Sequence, residues 1–180
     1  VAFRAGLFNI GAEGQLTLGA LATAAVGILL PGLPAVVGIP LATLAGVSAG
    51  AAWGGIVGVL RARRGSHEVI TTIMLNFVAA ALASYVTLYL LKNPEIQNPE
   101  TLAVGSAYLV DKWSVFQGAP LGWGSILVLW VVVAAQIWMD RSAAGFEVQV
   151  VGDSERAARY AGISVGRVQI LAMTVAGGLA

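Results

Sequence analysis

The chain has 180 residues, of which 58% are hydrophobic and 11% charged, with a formal net charge of +1. Soluble domains carry about a quarter charged residues, so this composition excludes an ordinary water-soluble fold and fits a chain solvated by lipid. No basic cluster is large enough to indicate nucleic acid as a partner, and the absence of cysteine excludes a disulfide framework or a cysteine-based metal site.

The sequence opens on Val1 and stops at Gly177-Gly178-Leu179-Ala180, inside an apolar segment that has just begun. It therefore reads as a fragment truncated at both ends, and each span count below is a minimum. The first apolar run covers residues 16–30, short against the roughly 20 residues of a full crossing. Pro31-Gly32-Leu33-Pro34 follows as a turn. The second run, 34–60, ends at Arg61-Ala62-Arg63-Arg64, with Pro40 either kinking it or marking its start. The third covers 68–91. Residues 92–120 form the most polar stretch and read as an extramembrane loop. The fourth run, 121–139, carries Trp123 and Trp138 near opposite ends, at the depth indole rings favour. A polar segment, 140–166, leads into a last, truncated run. The predicted fold is all-α: one transmembrane domain over 1–180, a polytopic bundle of at least four spans plus part of another.

Placing Arg61, Arg63 and Arg64 in the cytoplasm puts Arg4, Arg141, Arg156, Arg159 and Arg167 there too, and leaves Lys92 and Lys112 outside. Eight cations against two satisfy the positive-inside bias.

Four groups of residues stand out. Along the second run Gly38, Ala42, Gly46, Gly50, Gly54 and Gly58 recur every fourth position, a groove almost without side chains that reads foremost as a helix-packing seam. On the third run Thr72, Asn76, Ala79, Ala83 and Thr87 share a face. An amide in hydrocarbon needs partners, so Asn76 is expected to point inward, either joining helices or facing a polar path, with Thr72 sharing its role. The segment Gly6-Leu7-Phe8-Asn9-Ile10-Gly11-Ala12-Glu13-Gly14-Gln15 sets an acid and the amides Asn9 and Gln15 against an apolar run. Its glycines permit irregular backbone, tolerated at membrane depth only inside protein or beside a cavity. Glu13 reads as a helix-start carboxylate, a buried hydrogen-bonding group or part of a solute path.

Last, the stretch from Gly152 to Ile163 reads as a short helix. Asp153 or Ser154 caps its start, Glu155 suits the first turn and Gly162 the stop. Ala157, Ala158 and Ala161 make an apolar patch flanked by Arg156, Arg159 and Tyr160. Two turns are not stable alone, so the helix is expected to dock onto something. Catalytic groups are not found: His67-Glu68 lacks a second histidine at zinc-protease spacing, and no phosphate-binding glycine loop is present.

Three of these segments, in order, resemble bacterial ABC importer permeases of the ribose and branched-chain amino acid type. Residues 6–15 look like their glycine-asparagine-glutamate signature. His67-Glu68-Val69-Ile70-Thr71-Thr72-Ile73-Met74-Leu75-Asn76 is similar to the nucleoside and simple-sugar branch, and residues 152–163 resemble the cytoplasmic coupling segment. The resemblance implies a permease in the bacterial inner membrane that pairs with a second permease subunit. It also implies cytoplasmic subunits that use ATP and Mg, which this chain itself does not bind, and an extracytoplasmic solute-binding lipoprotein. It assigns coupling to Ser154, Glu155, Arg156, Ala157, Ala158, Arg159, Tyr160 and Gly162. A solute path past Asn9, Glu13, Gln15, Thr72 and Asn76 follows from their position. Rival readings are a permease for another solute such as a branched-chain amino acid, an ATP-independent secondary transporter or channel, a membrane enzyme and a structural subunit.

Overall fold

The computed structural model describes residues 1–94, 100–110 and 122–180. Lys112 and most of the predicted loop 92–120 lie outside the described residues, as does Leu121 at the start of the fourth run. A 3₁₀ turn, Ala2–Ala5, precedes α1 (Ala12–Leu29), α2 (Ala35–Arg64) and α3 (Glu68–Tyr85), which a π-helical turn, Val86–Leu90, extends. After a 3₁₀ turn at Ser106–Tyr108 come α4 (Trp123–Arg141), α5 (Ala143–Asp153), α6 (Glu155–Tyr160) and α7 (Val165–Gly178). Four segments are long and apolar enough to cross a membrane: α1, α2, α3 with its π turn, and α4.

The middle of the bundle is α2, with α1 on one side and α7 on another, while α3 packs on α1. Sequence periodicity becomes geometry along α2. A methyl group added at Gly58 would lie 2.7 Å from Ile170 Cα, and one at Gly54 would lie 3.1 Å from Gly177 Cα and collide with the Met173 carbonyl. Gly50 and Gly177 face each other's carbonyl oxygens so closely that neither tolerates a Cβ. Lower numbers on α2 meet higher numbers on α7, so the two helices run antiparallel. At Gly50, Gly54 and Gly177 a glycine Cα is thus turned toward a neighbouring carbonyl oxygen, a weak contact that recurs where small residues let backbones touch. One turn further along, Gly46 meets α1 instead: a methyl there would lie 3.1 Å from Gly19 O. Thr23 Oγ1 stitches this second contact, donating to Gly19 O at 2.9 Å and to Ala42 O at 3.2 Å.

The largest apolar cluster lies at the arginine-bearing end. Val57 of α2, Met139 of α4, Val148 of α5, Ala158 of α6 and Val168 and Met173 of α7 are all buried in it. At the opposite end Tyr108 covers the α1–α2 turn, its hydroxyl donating to Leu30 O at 2.6 Å and its ring set against Gly38. Helix α4 leaves Leu127, Leu129, Trp130 and Val132 exposed on successive faces, as a helix surrounded by lipid or other membrane protein does.

Boundaries depart from the sequence reading in two places. First, α1 starts at Ala12 rather than at residue 16, so Glu13 and Gln15 are helical. Apolarity marks where a span can meet lipid, not where its hydrogen bonding begins. Second, the segment 140–166 holds an additional helix, α5. Ser142 Oγ accepts from Gly145 N at 2.9 Å to cap it, and Val148 and Val151 bury one face, while Glu147 on its exposed side masked the pattern. Of the two cap candidates for α6, Ser154 is the one used, accepting from Ala157 N at 3.2 Å, while Asp153 is the last residue of α5. Pro40 does not mark the start of α2, which begins at Ala35 after its N-cap Pro34 and continues through Pro40.

Overpacking a tight contact costs about 1–3 kcal/mol, and a carbonyl in the way cannot rotate aside. Gly54→Leu is therefore expected to lower thermal stability in mild detergent and the yield of folded protein. Gly124→Ala is the control, since a methyl there meets nothing within 4 Å. Equal stability of the two variants would contradict a packed seam.

Candidate functional site

The segment between the first 3₁₀ turn and α1 is irregular, and it is not at the membrane edge. A methyl at Gly54 would sit 3.3 Å from Gln15 Nε2, and Gly54 stands ten residues before the end of α2 at Arg64. At 1.5 Å per residue that is about 15 Å along the helix axis from its arginine-bearing end. Backbone groups at such depth must find partners within the protein.

Side-chain amides supply them. Gly11, the residue before α1, has no side chain with which to cap the helix. Asn76, on α3, provides the cap from another helix: its Oδ1 accepts from Gly14 N at 3.0 Å, and its Nδ2 donates to Ile10 O at 3.0 Å. Asn9 Oδ1 accepts from Gly11 N at 3.0 Å. The Asn9 and Gln15 amides close on each other, Asn9 Nδ2 donating to Gln15 Oε1 at 3.0 Å and Gln15 Nε2 donating back to Asn9 Oδ1 at 3.3 Å. Gln15 is 1% exposed. Thr72, also fully buried, turns its hydroxyl to Val69 O at 3.0 Å and its methyl toward Gly11. Thus four of the five polar residues expected along a solute path form one interhelical cluster. Glu13 stands apart. It lies in the first turn of α1 on the exposed side, and its carboxylate takes no hydrogen bond or ion pair from the described residues.

A second polar region lies at the arginine end. Arg61 Nη1 is 3.4 Å from Glu68 Oε2 and donates to Ser66 O at 3.3 Å, bracing the α2–α3 turn where Gly65 adopts φ 63°. On α6, Glu155 pairs with Arg159 at 3.5 Å. Its other oxygen, Oε1, accepts from Gln169 Nε2 at 3.1 Å. The alanine patch divides. Ala158 is fully buried against its own chain, whereas Arg156, Ala157 and Ala161 face outward and Tyr160 is 91% exposed. Gly162, at φ 79°, turns the chain into α7.

Sequence reasoning passed over Gln169, Glu68 and Gly177. Gln169 was discoverable by the rule that singled out Asn76, an amide inside an apolar run. Gly177 carries no signal until its partner helix is known.

Apolar spans joined by glycines and amides define a polytopic membrane protein, and no three histidine, cysteine or acidic groups that could hold a metal ion gather among its described residues. More narrowly, the chain belongs to the branched-chain amino acid transport system / permease component family, whose model matches residues 1–180. It is 36% identical over 182 residues to the guanosine ABC transporter permease protein NupP of Bacillus subtilis, a match covering 99% of this chain and 51% of that one. It is 35% identical over 186 residues to the nucleoside ABC transporter permease protein NupB of Lactococcus lactis, covering 100% and 51%. The glucose ABC transporter permease protein TsgB13 of Haloferax volcanii is 38% identical over 189 residues, covering 98% and 48%. The chain spans about half the length of these curated relatives. No solved structure matches it.

Interhelical hydrogen bonds in membranes are worth about 0.6–2 kcal/mol each. Asn76→Leu removes two and leaves Gly14 N–H and Ile10 C=O without partners, so unfolding in detergent is expected to become easier by about 2 kcal/mol. Thr71→Val is the reference, because the Thr71 hydroxyl bonds only to His67 O of its own helical turn, at 3.0 Å. A loss no larger than that of the reference would sink the capping role.

Proposed function

We propose that this chain forms part of the membrane pathway of an ATP-driven importer for nucleosides or related simple sugars. The observation that carries this reading is similarity along nearly the whole of this chain, and about half of each relative, to permeases named for guanosine, nucleosides and glucose. On this reading the chain performs no chemistry on the solute. ATP and Mg are used by separate cytoplasmic subunits, a second permease completes the pathway, and an extracytoplasmic binding lipoprotein delivers the solute at a bacterial inner membrane.

The geometry supports a division of labour. Helix α6, held at its inner face by Ala158, offers Arg156, Ala157, Arg159 and Tyr160 to a cytoplasmic partner. ATP binding draws the ATPase pair together, α6 moves with it, and the spans rock between inward- and outward-open states whose populations nucleotide sets. Asn9, Gln15, Thr72 and Asn76 hold the wall of the pathway in place. Glu13, an unpartnered carboxylate at the start of a span, faces the path itself, since ionisable groups at depth border water or protein rather than lipid.

The test is uptake of labelled guanosine, uridine and glucose by cells expressing the complete system. Uptake should require an intact ATPase, and Glu13→Gln should raise the half-saturating solute concentration or slow uptake while assembly stays normal. Uptake that survives ATPase inactivation and follows an ion gradient would replace this reading with a secondary transporter. These 180 residues contain no cysteine, so Tyr160→Cys, placed in a system whose other cysteines have been removed, is a specific reporter. An impermeant thiol reagent should label it in inverted vesicles and not in intact cells; labelling from outside would reverse the topology.

A further inference from the structure

Among the described residues, one side-chain hydrogen bond joins α6 to α7: Gln169 Nε2 donating to Glu155 Oε1 at 3.1 Å. Its two ends differ in character. The Glu155 side chain is 46% exposed, at the surface where α6 meets solvent. Gln169 is 5% exposed and sits one turn into α7. Its backbone also borders the α2–α7 contact, since a methyl on Gly58 would lie 3.2 Å from Gln169 O, beside Ile170 Cα at 2.7 Å. From there the contact runs outward through Gly54 against Met173 and reaches the side-chain amide of Gln15, bonded to Asn9. Backbone, rather than rotatable side chain, makes each step between Gly58 and Gly54.

Building on the proposed importer function, we infer that Gln169 is a positioning residue for coupling: it transmits displacement of α6 to the α2–α7 pair, and through that pair to the amide cluster at membrane depth. Glu155 is suited to its end of this strut because its two oxygens are divided. Oε2 faces Arg159 within α6, and Oε1 is committed to Gln169. The carboxylate thereby belongs to α6 as a body while gripping α7. Ala158, fully buried, adds a non-directional apolar contact, whereas the hydrogen bond also fixes the orientation of α6 against α7.

The full-length permease, assembled with its ATPase subunits and reconstituted with binding protein in liposomes, provides the test, read as solute moved per ATP hydrolysed. Gln169→Leu, which keeps the bulk and removes the donor, should lower this ratio about tenfold, within the range that single positions in a coupling network command. Glu155→Ala breaks the same bond from the exposed side and should do likewise without altering assembly. The double variant should be no worse than either single one, and Glu155→Gln, which keeps an acceptor oxygen, should retain most of the ratio. A normal ratio in Glu155→Ala overturns the strut even if Gln169→Leu fails to fold, as does additive loss in the double variant. A wild-type assembly with no ATP-dependent uptake would instead overturn the importer reading beneath it.

Discussion

Hydrocarbon offers no hydrogen-bond partners, so a chain that leaves helical geometry at membrane depth must bring its own. This protein does so between Leu7 and Ala12, where the polypeptide passes from a 3₁₀ turn to α1 beside the middle of α2. Three side-chain amides, from Asn9, Gln15 and Asn76, answer that requirement. The choice of amide is physically apt. An amide both donates and accepts, so Asn76 can satisfy an N–H and a C=O of one loop at once. A carboxylate would accept twice and add a charge, and a hydroxyl would not reach both groups.

The amide cluster in turn fixes how closely the helices pack. Asn76 draws α3 against the start of α1, where a methyl on Gly14 would lie 2.8 Å from the Asn76 carbonyl oxygen and 3.1 Å from Ala79 Cβ. Gln15 reaches back to Gly54 of α2. The glycine series on α2 therefore does two jobs along its length, accepting α7 at Gly50, Gly54 and Gly58 and α1 at Gly46. A strict four-residue repeat drifts around a helix with 3.6 residues per turn, and that drift carries the groove from one neighbour to the other.

Much of this was legible in the sequence because the bilayer imposes simple rules. Apolar length pointed to the four spans and glycine spacing to the groove. What sequence periodicity left open was identity of partners. Whether Asn76 joins helices or meets solute depends on the backbone of residues 10–14, sixty residues away in the chain. Helix α5 escaped because its buried face is short, Val148 and Val151, and its first turn packs Gly145 beneath the Met139 carbonyl instead of showing an apolar stripe. Ala158 was grouped with Ala157 and Ala161, although Ala157 and Ala158 point about 100° apart on a helix and Ala161 lies past the end of α6 at Tyr160.

Stiffness follows from the same contacts. Where side chains fill an interface, rotamer changes absorb small displacements. Where Gly50 meets Gly177 and Gly54 meets Met173 backbone to backbone, there are no rotamers to change, and separation forfeits the van der Waals contact that holds helices together in lipid. The pair α2 and α7 is thus expected to move as one body. The αL glycines Gly65 and Gly162 bound this pair at its arginine-bearing end, and Arg61 braces the turn at the first of them through Ser66 O and Glu68.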